Sequence, residues 1–234
     1  MTNPQIKQFI PHDHLSSKVW KDDNTIRSDV RDALLNIAQE FLQYLNLPLD
    51  VTDITFTGSY ANYNYTAYSD IDLHIIVDLS NVDSESIETL IKRFLAAKKD
   101  LFNDRYTIEV NGIDVELYPQ DAAEPHVSSG IFSLDDNKWL VKPVRFTTKP
   151  DIKLAEKKYL MLRNEIELLL EEDSTLPQIE RLIEKIKNMR KAGLERGGEM
   201  SIENIAYKLI RSAGDLQKLF NKKYELYGNS LSLI

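Results

Sequence analysis

The chain has no cysteine among its 234 residues. That excludes disulfides and thiolate metal sites, and it suits a reducing compartment. Long apolar runs are missing as well. No stretch approaches the roughly eighteen residues of a membrane-crossing helix, and the N-terminus lacks a basic-then-apolar secretory pattern. The expectation is a soluble, cytoplasmic protein with no membrane partner. Glycine and proline are sparse, at 8 each, too few for a low-complexity chain. Positive charge is also short, with 29 Lys+Arg against 37 Asp+Glu and a net charge of −8. The deficit is local: residues 1–150 hold 14 basic against 23 acidic side chains, whereas 151–234 hold 15 against 14. Nothing resembles the broad basic face of a duplex-binding protein, so no extended duplex partner is expected. The cluster Lys185, Lys187, Arg190, Lys191 and Arg196 reads as a solvated helix face, with phosphate contact as the alternative. What is present is 42% hydrophobic residues, enough for a substantial core in one large domain or two small ones.

The most informative run is Gly58-Ser59-Tyr-Ala-Asn-Tyr-Asn-Tyr-Thr-Ala-Tyr-Ser69-Asp70-Ile-Asp72-Leu73. Asp70 and Asp72 alternate with Ile71 and Leu73, continuing through His74-Ile75-Ile76-Val77. This is the period-two pattern of a strand with one buried face. Both carboxylates therefore share a face, where their repulsion invites a cation or a proton. Upstream, Ile54 and Phe56 alternate with Thr55 and Thr57 in a strand ending at Gly58, where glycine suits a positive-φ turn or a close approach to ligand. His74 shares the acid face and reads as a hydrogen-bond partner rather than a metal ligand. Tyr60, Tyr63, Tyr65 and Tyr68 either stack on a base or anchor the loop in the core.

A third acid is sought on a later hairpin. Tyr106–Val110 and Ile113–Leu117 flank Asn111-Gly112, a strong two-residue hairpin signal. The register sets Glu109 opposite Asp114 and Thr107 opposite Glu116. Like charges across a hairpin destabilise it, so this face needs solvent, a basic neighbour or a metal. Glu116, between Val115 and Leu117, is the preferred third carboxylate, and Asp114 is its rival on the same face.

Together these features resemble the nucleotidyltransferase fold of the DNA polymerase β superfamily. The matching residues are Phe56-Thr57-Gly58-Ser59, ten intervening residues, Asp70-Ile71-Asp72, and Val115-Glu116-Leu117. The resemblance implies that Gly58, Ser59 and Ser69 contact a nucleoside triphosphate. It also implies that Asp70, Asp72 and Glu116 serve as catalytic and metal residues for two Mg²⁺, with Mn²⁺ as a possible substitute. The implied reaction is transfer of an NMP, AMP by default, from an NTP to an acceptor hydroxyl with release of pyrophosphate. The acceptor stays open among a protein, an RNA end, a nucleotide and a small molecule. A degenerate nucleotide-binding or interaction protein on the same fold is the alternative. More loosely, the whole chain resembles phage-encoded nucleotidyltransferase-like proteins through Asn62–Tyr65, Ser69–His74 and Val115–Tyr118, which would place it in a host cytoplasm. A fused helical ribonuclease with an Arg-then-His motif is excluded, because the four histidines, 12, 14, 74 and 126, all precede the last third.

The expected class is α/β (α+β), a small mixed-sheet core over 1–150 followed by a helical region over 151–234 packed on it. Val30, Leu34, Ile37, Ala38, Phe41, Leu42 and Leu45 mark a first helix, stopped by Pro48. Asp83 or Ser84 is expected to cap a second, with Ile87, Leu90, Ile91, Phe94 and Leu95 as its buried stripe. Residues 119–150 carry four of the eight prolines and read as an irregular wall over the site or a wrap around the core. Three helices follow: one over 151–172, one opened by Pro177 and broken at Gly197-Gly198, and one capped by Ser201 and running through Phe220. On the last, Lys208 and Arg211 point away from the apolar face and are candidates to reach the nucleotide or acceptor.

Overall fold

The computed structural model describes residues 9–82, 84–126, 128–147, 149–171 and 173–232. The chain divides into two compact units: Pro11–Phe146, and Thr147 onward together with Phe9 and Ile10. Among the described residues no helix is long and apolar enough to cross a membrane.

The first unit is built on a five-stranded mixed sheet. Its strands are β1 (Val51–Thr57), β2 (Ile71–Val77), β3 (Val115–Asp121), β4 (Ile131–Ser133) and β5 (Lys138–Val141), in the order β3-β2-β1-β4-β5. β2 runs antiparallel to β1 and parallel to β3. Two helices serve this unit, α1 (Ser28–Leu45) and α2 (Glu85–Arg105). The alternation read from sequence holds on β2, where Ile71, Leu73, Ile75 and Val77 are all buried. They meet Val30, Leu34, Ala38 and Phe41 from α1 in one core. α1 ends because Asn46 turns left-handed (φ 50°) and donates its N–H to Leu42 O, two residues before the expected stop at Pro48.

Three expectations for this unit need correction. The first is the buried stripe of α2. Of its proposed members Leu95 is buried and Ile91 partly so, while Ile87, Leu90 and Phe94 are exposed. The helix runs on to Arg105 and turns Leu95 and Phe102 inward, with Phe102 set edge-on to Phe41 at 5.1 Å. Ser84 stands at its N-cap position without a capping side-chain bond, and Asp83 lies outside the described residues.

The second is the hairpin. Asn111 and Gly112 form the tight turn with φ of 53° and 68°, Val110 and Ile113 exchange both backbone bonds, and Glu109 faces Asp114. The arms then part. The Asn103 side chain accepts from Leu117 N–H at 3.3 Å and donates to Leu117 O at 3.2 Å, taking the groups that Tyr106 was expected to pair. β3 pairs with β2 on its other side, so α2 covers the sheet edge. Pro119 is tolerated there because that edge needs no ladder donor from it.

The third is the segment after β3. Within this segment, expected to be irregular, Ile131-Phe132 and Trp139–Val141 are the cores of β4 and β5 and extend the sheet beyond β1. Phe132 and Trp139 close with Trp20 and Phe56 in an aromatic cluster, with ring centres 4.6–5.7 Å apart.

The second unit is helical: α3 (Ile152–Glu171), α4 (Leu176–Gly197), α5 (Ile202–Ser212) and α6 (Asp215–Leu231). Thr175 and Gln178 form a capping box ahead of Pro177, and Ser201 accepts from Asn204 N–H to open α5. The single helix expected from Ser201 through Phe220 is two. Gly214, at φ 74°, breaks it, and α6 starts at Asp215. Ile166, Ile179, Ile186, Ile205 and Leu219 centre this unit's own core.

Candidate active site

Cross-strand register assembles the site. Thr57 is opposite Asp72 on the antiparallel side, and Asp72 is level with Glu116 on the parallel side. Neighbouring strands lie about 4.8 Å apart, so Asp72 and Glu116 are side-by-side carboxylates on one face. The next row on that face is Thr55, His74 and Tyr118. The ladder begins at Ile71 and Val115, leaving Asp70 and Asp114 just before it, with Ile71 N–H donating to Asp114 O at 2.8 Å. Asp114 is exposed and faces Glu109, whereas Glu116 is half-buried. Asp70 lies close enough to Tyr60 to help raise that phenol's pKa, after burial and the neighbouring Tyr65.

Gly58 closes the other side. Its φ of 80° and ψ of −162° fall in a region that only glycine populates readily. A Cβ there would sit 1.9 Å from Asp72 Oδ2. The backbone of the Gly-Ser turn is thus pressed against the second carboxylate, leaving room for nothing larger than hydrogen. Ser59 follows, half-buried, at the head of a single turn of tight helix over Ser59–Ala61.

The loop from Ser59 to Asp70 is fastened rather than loose. Tyr60 O accepts from Trp20 Nε1 at 2.8 Å, Tyr63 O accepts from His12 N–H at 2.7 Å, and Asn62 Nδ2 donates to Ser129 Oγ at 2.5 Å. Tyr60 and Tyr63 are buried. Tyr65 stacks on His12 with ring centres 3.9 Å apart. Those three therefore anchor the loop, and Tyr68 alone of the four is exposed. Ser69 belongs to the turn that delivers Asp70, its Oγ accepting from Thr66 N–H at 2.9 Å.

His74 is held by its surroundings. Nδ1–H donates to Gln120 Oε1 at 2.8 Å, and the ring stacks on Tyr118 at 5.2 Å with His126 at 5.8 Å. Burial pushes its pKa below the ordinary value; the Gln120 bond opposes this and His126 adds to it. It is a hydrogen-bond partner beside the acids, as its sequence context suggests. Thr55, Thr57, Tyr118 and Gln120 were given no role from sequence; the alternation of β1 showed only that the two threonines share a face, and the register puts that face with the acids. Thr55 Oγ1 is buried there without a hydrogen-bond partner.

Among the described residues no three His, Cys, Asp or Glu side chains stand close enough to hold a metal by themselves. The donor chemistry nevertheless fits Mg²⁺. That ion takes oxygen ligands and is usually held by one or two carboxylates plus substrate phosphates, not by a complete protein cage. A cavity of about 250 Å³ opens between α2 and the end of β3. Its lysines are engaged within the protein, Lys92 by Asp121 at 2.7 Å and Glu88 at 2.8 Å, and Lys99 by Asp100 at 2.8 Å.

Lys208 and Arg211 are on α5, in the helical unit. Lys208 pairs with Glu199 at 2.9 Å and Arg211 is exposed. Much of the basic cluster on α4 is committed locally: Lys185 to Glu165, Lys187 over Phe220, Arg190 over Tyr207, and Arg196 to Ala192 O.

Residues 34–134, which contain this whole constellation, match the nucleotidyltransferase domain family. The chain carries a nucleotidyltransferase domain. The five-stranded mixed sheet with helices after it is consistent with a nucleotidyltransferase core followed by a C-terminal helical region. Among solved structures the chain is similar to the CdnE cyclic dinucleotide synthase of Elizabethkingia meningoseptica with GTP and Apcpp, at 15% identity. That alignment covers 86% of this chain and 78% of the other, with a TM-score of 0.27. No curated protein matches the chain.

Proposed function

We propose that this nucleotidyltransferase moves an NMP from a nucleoside triphosphate, ATP by abundance, to an acceptor hydroxyl in a Mg²⁺-dependent reaction. The observation that carries the reading is the row Thr57–Asp72–Glu116 with the Gly58 backbone closed against Asp72. Asp70, Asp72 and Glu116 would hold the two ions, and bound Mg²⁺, or Mn²⁺ in its place, supplies charge stabilisation for the triphosphate oxygens. The chain's own residues do the rest. Backbone N–H groups of the Gly58-Ser59 turn and the Ser59 hydroxyl bind terminal phosphate oxygens. Ser69 keeps Asp70 in place through the turn. The acceptor oxygen forms a bond to the α-phosphorus, the α–β bridging bond breaks, and pyrophosphate leaves. Glu116 takes the proton released by the acceptor hydroxyl, acting as a general base from a half-exposed position.

Lys208 and Arg211 remain candidates for acceptor or phosphate contacts from the helical unit, and 1–150 with 151–234 remains the proposed functional division, in a cytoplasmic setting. Incubation with each α-labelled NTP and Mg²⁺ in a cell lysate tests the reading. Label carried into one acceptor fraction with matching pyrophosphate release supports it and identifies the acceptor class. Nucleotide binding without label transfer for any NTP would leave the degenerate, interaction-only alternative.

A further inference from the structure

We propose that the outer face of α2 is a dimerisation surface, on which two copies of this chain pair their α2 helices antiparallel about a twofold axis. The occupant is a second copy because the face is complementary to itself in both shape and charge.

α2 presents two apolar faces. The inner one buries Leu95 and Phe102. The outer one carries Ile87, Leu90, Phe94, Ala97 and Leu101, all exposed, with Leu90 open to 66%. These five are spaced three, four, three and four residues apart, so they fall within an arc of about 80° on the helix. That is the repeat of a two-helix seam, as wide as one neighbouring helix covers. Apolar side chains scattered singly over a surface are ordinary, but a continuous row along a helix of 21 residues marks an interaction site.

Self-complementarity selects the partner. Two α2 helices laid end for end with full overlap set Leu90 against the partner's Leu101 and Phe94 against the partner's Ala97. The largest side chain of the row meets the smallest, and the twofold repeats both contacts. Ile87 then meets the partner's Asp104 at each end, where Asp104 is exposed and the seam stops. The charges agree with this register. Arg93 and Asp100 flank the row on one side, both exposed, and Arg93 comes beside the partner's Asp100 in two equivalent pairs. Asp100 holds Lys99 at 2.8 Å with 67% of its own side chain exposed, a surface pair that exchanges at little cost. A parallel pairing would set Arg93 against the partner's Lys98, two like charges, since flanking positions choose orientation in such seams. The face of one helix is at the small end of stable interfaces, which bury about 1,200–2,000 Å² in total, so the dimer should form and dissociate with concentration.

Sedimentation velocity on the full chain, from low to high micromolar, tests this. The parent should pass from monomer to dimer as concentration rises, and Leu90→Glu should stay monomeric throughout. Arg93→Asp and Asp100→Arg should each weaken self-association by at least about tenfold, because each sets like charges across the seam. An equimolar mixture of those two variants should dimerise again, since every flanking contact then joins an Asp to an Arg. Circular dichroism of all variants in dilute solution should match the parent, as the altered side chains are exposed. A charge-variant mixture that stays monomeric would overturn the antiparallel pairing, and so would variants that dimerise as the parent does. A parent monomeric at every concentration would overturn the proposal outright; a lowered melting temperature of Leu90→Glu in that case would assign the face to another segment of the same chain.

Discussion

Asp72 is constrained from both sides, by the Gly58 backbone at one flank and Glu116 in register at the other. Gly58→Ala would add a Cβ 1.9 Å from Asp72 Oδ2 and force an L-residue into a glycine-only conformation. We expect a stability loss of about 1–3 kcal/mol for the backbone strain and loss of nucleotide binding, read by thermal melting and calorimetry. Normal binding by this variant would mean that the turn does not meet the phosphates. The acid pair makes the opposite expectation. Asp70→Asn and Asp72→Asn keep shape and remove charge, so each should abolish transfer while the metal-free melting temperature stays level or rises as repulsion is relieved. Melting curves with and without Mg²⁺ check this, since the rise on adding metal should vanish in both variants.

At the scale of elements, one side chain of α2 caps the backbone at the outer edge of β3. Asn103 satisfies both the N–H and the C=O of Leu117 at the sheet edge. Asn103→Leu leaves two backbone groups unsatisfied where they are shielded from water, and should cost roughly 2–4 kcal/mol, about 1–3 per orphaned group with partial rescue by solvent. Denaturant unfolding measures it, and a cost below about 0.5 kcal/mol, the level of an ordinary surface change, would contradict the role given to Asn103. In the helical unit the corresponding bond is Glu199 with Lys208. Burial raises the Glu199 pKa, but the Lys208 charge and hydrogen bond, the Asn204 bond and the Arg190 charge together hold it below the ordinary 4.5. Its folded-state pKa is therefore depressed, so its contribution is complete above the unfolded value and is lost as pH falls below about 4.5. Lys208→Met should move acid unfolding of the helices to higher pH, followed by circular dichroism; an unmoved midpoint would show that Glu199 draws nothing from Lys208. The elements also show what sequence could and could not convey. The β1, β2 and Asn111-Gly112 patterns were legible because alternation and turn chemistry are local. The inward face of α2 was not, since Ile87, Leu90 and Phe94 carry the same helical spacing as a core stripe and only the placement of β3 leaves them outside. β4 and β5, with three and four residues, were too short to show a period. The break at Gly214 depends on a backbone angle within an unbroken apolar pattern.

For the whole molecule, the central claim is that two strands adjacent by register, β2 and β3, bring three carboxylates to one reaction. Asp70 and Asp72, the first two acids of that proposal, stand out in the sequence as an Asp-x-Asp pair on an alternating strand. The third was narrowed to Glu116 or Asp114 because a strand's face is readable from sequence, whereas its level against a parallel neighbour is not. The register now sets Glu116 beside Asp72 and leaves Asp114 exposed opposite Glu109. The most direct test is Mg²⁺-dependent pyrophosphate release from ATP, with the acceptor found by labelling, compared among the parent, Glu116→Gln and Asp114→Asn. The account predicts a loss of at least about a hundredfold for Glu116→Gln, the lower end of what a positioned acid–base group supplies, and near-parental release for Asp114→Asn. The reverse pattern would move the third carboxylate to Asp114, and parental release from both variants would contradict a three-carboxylate site altogether.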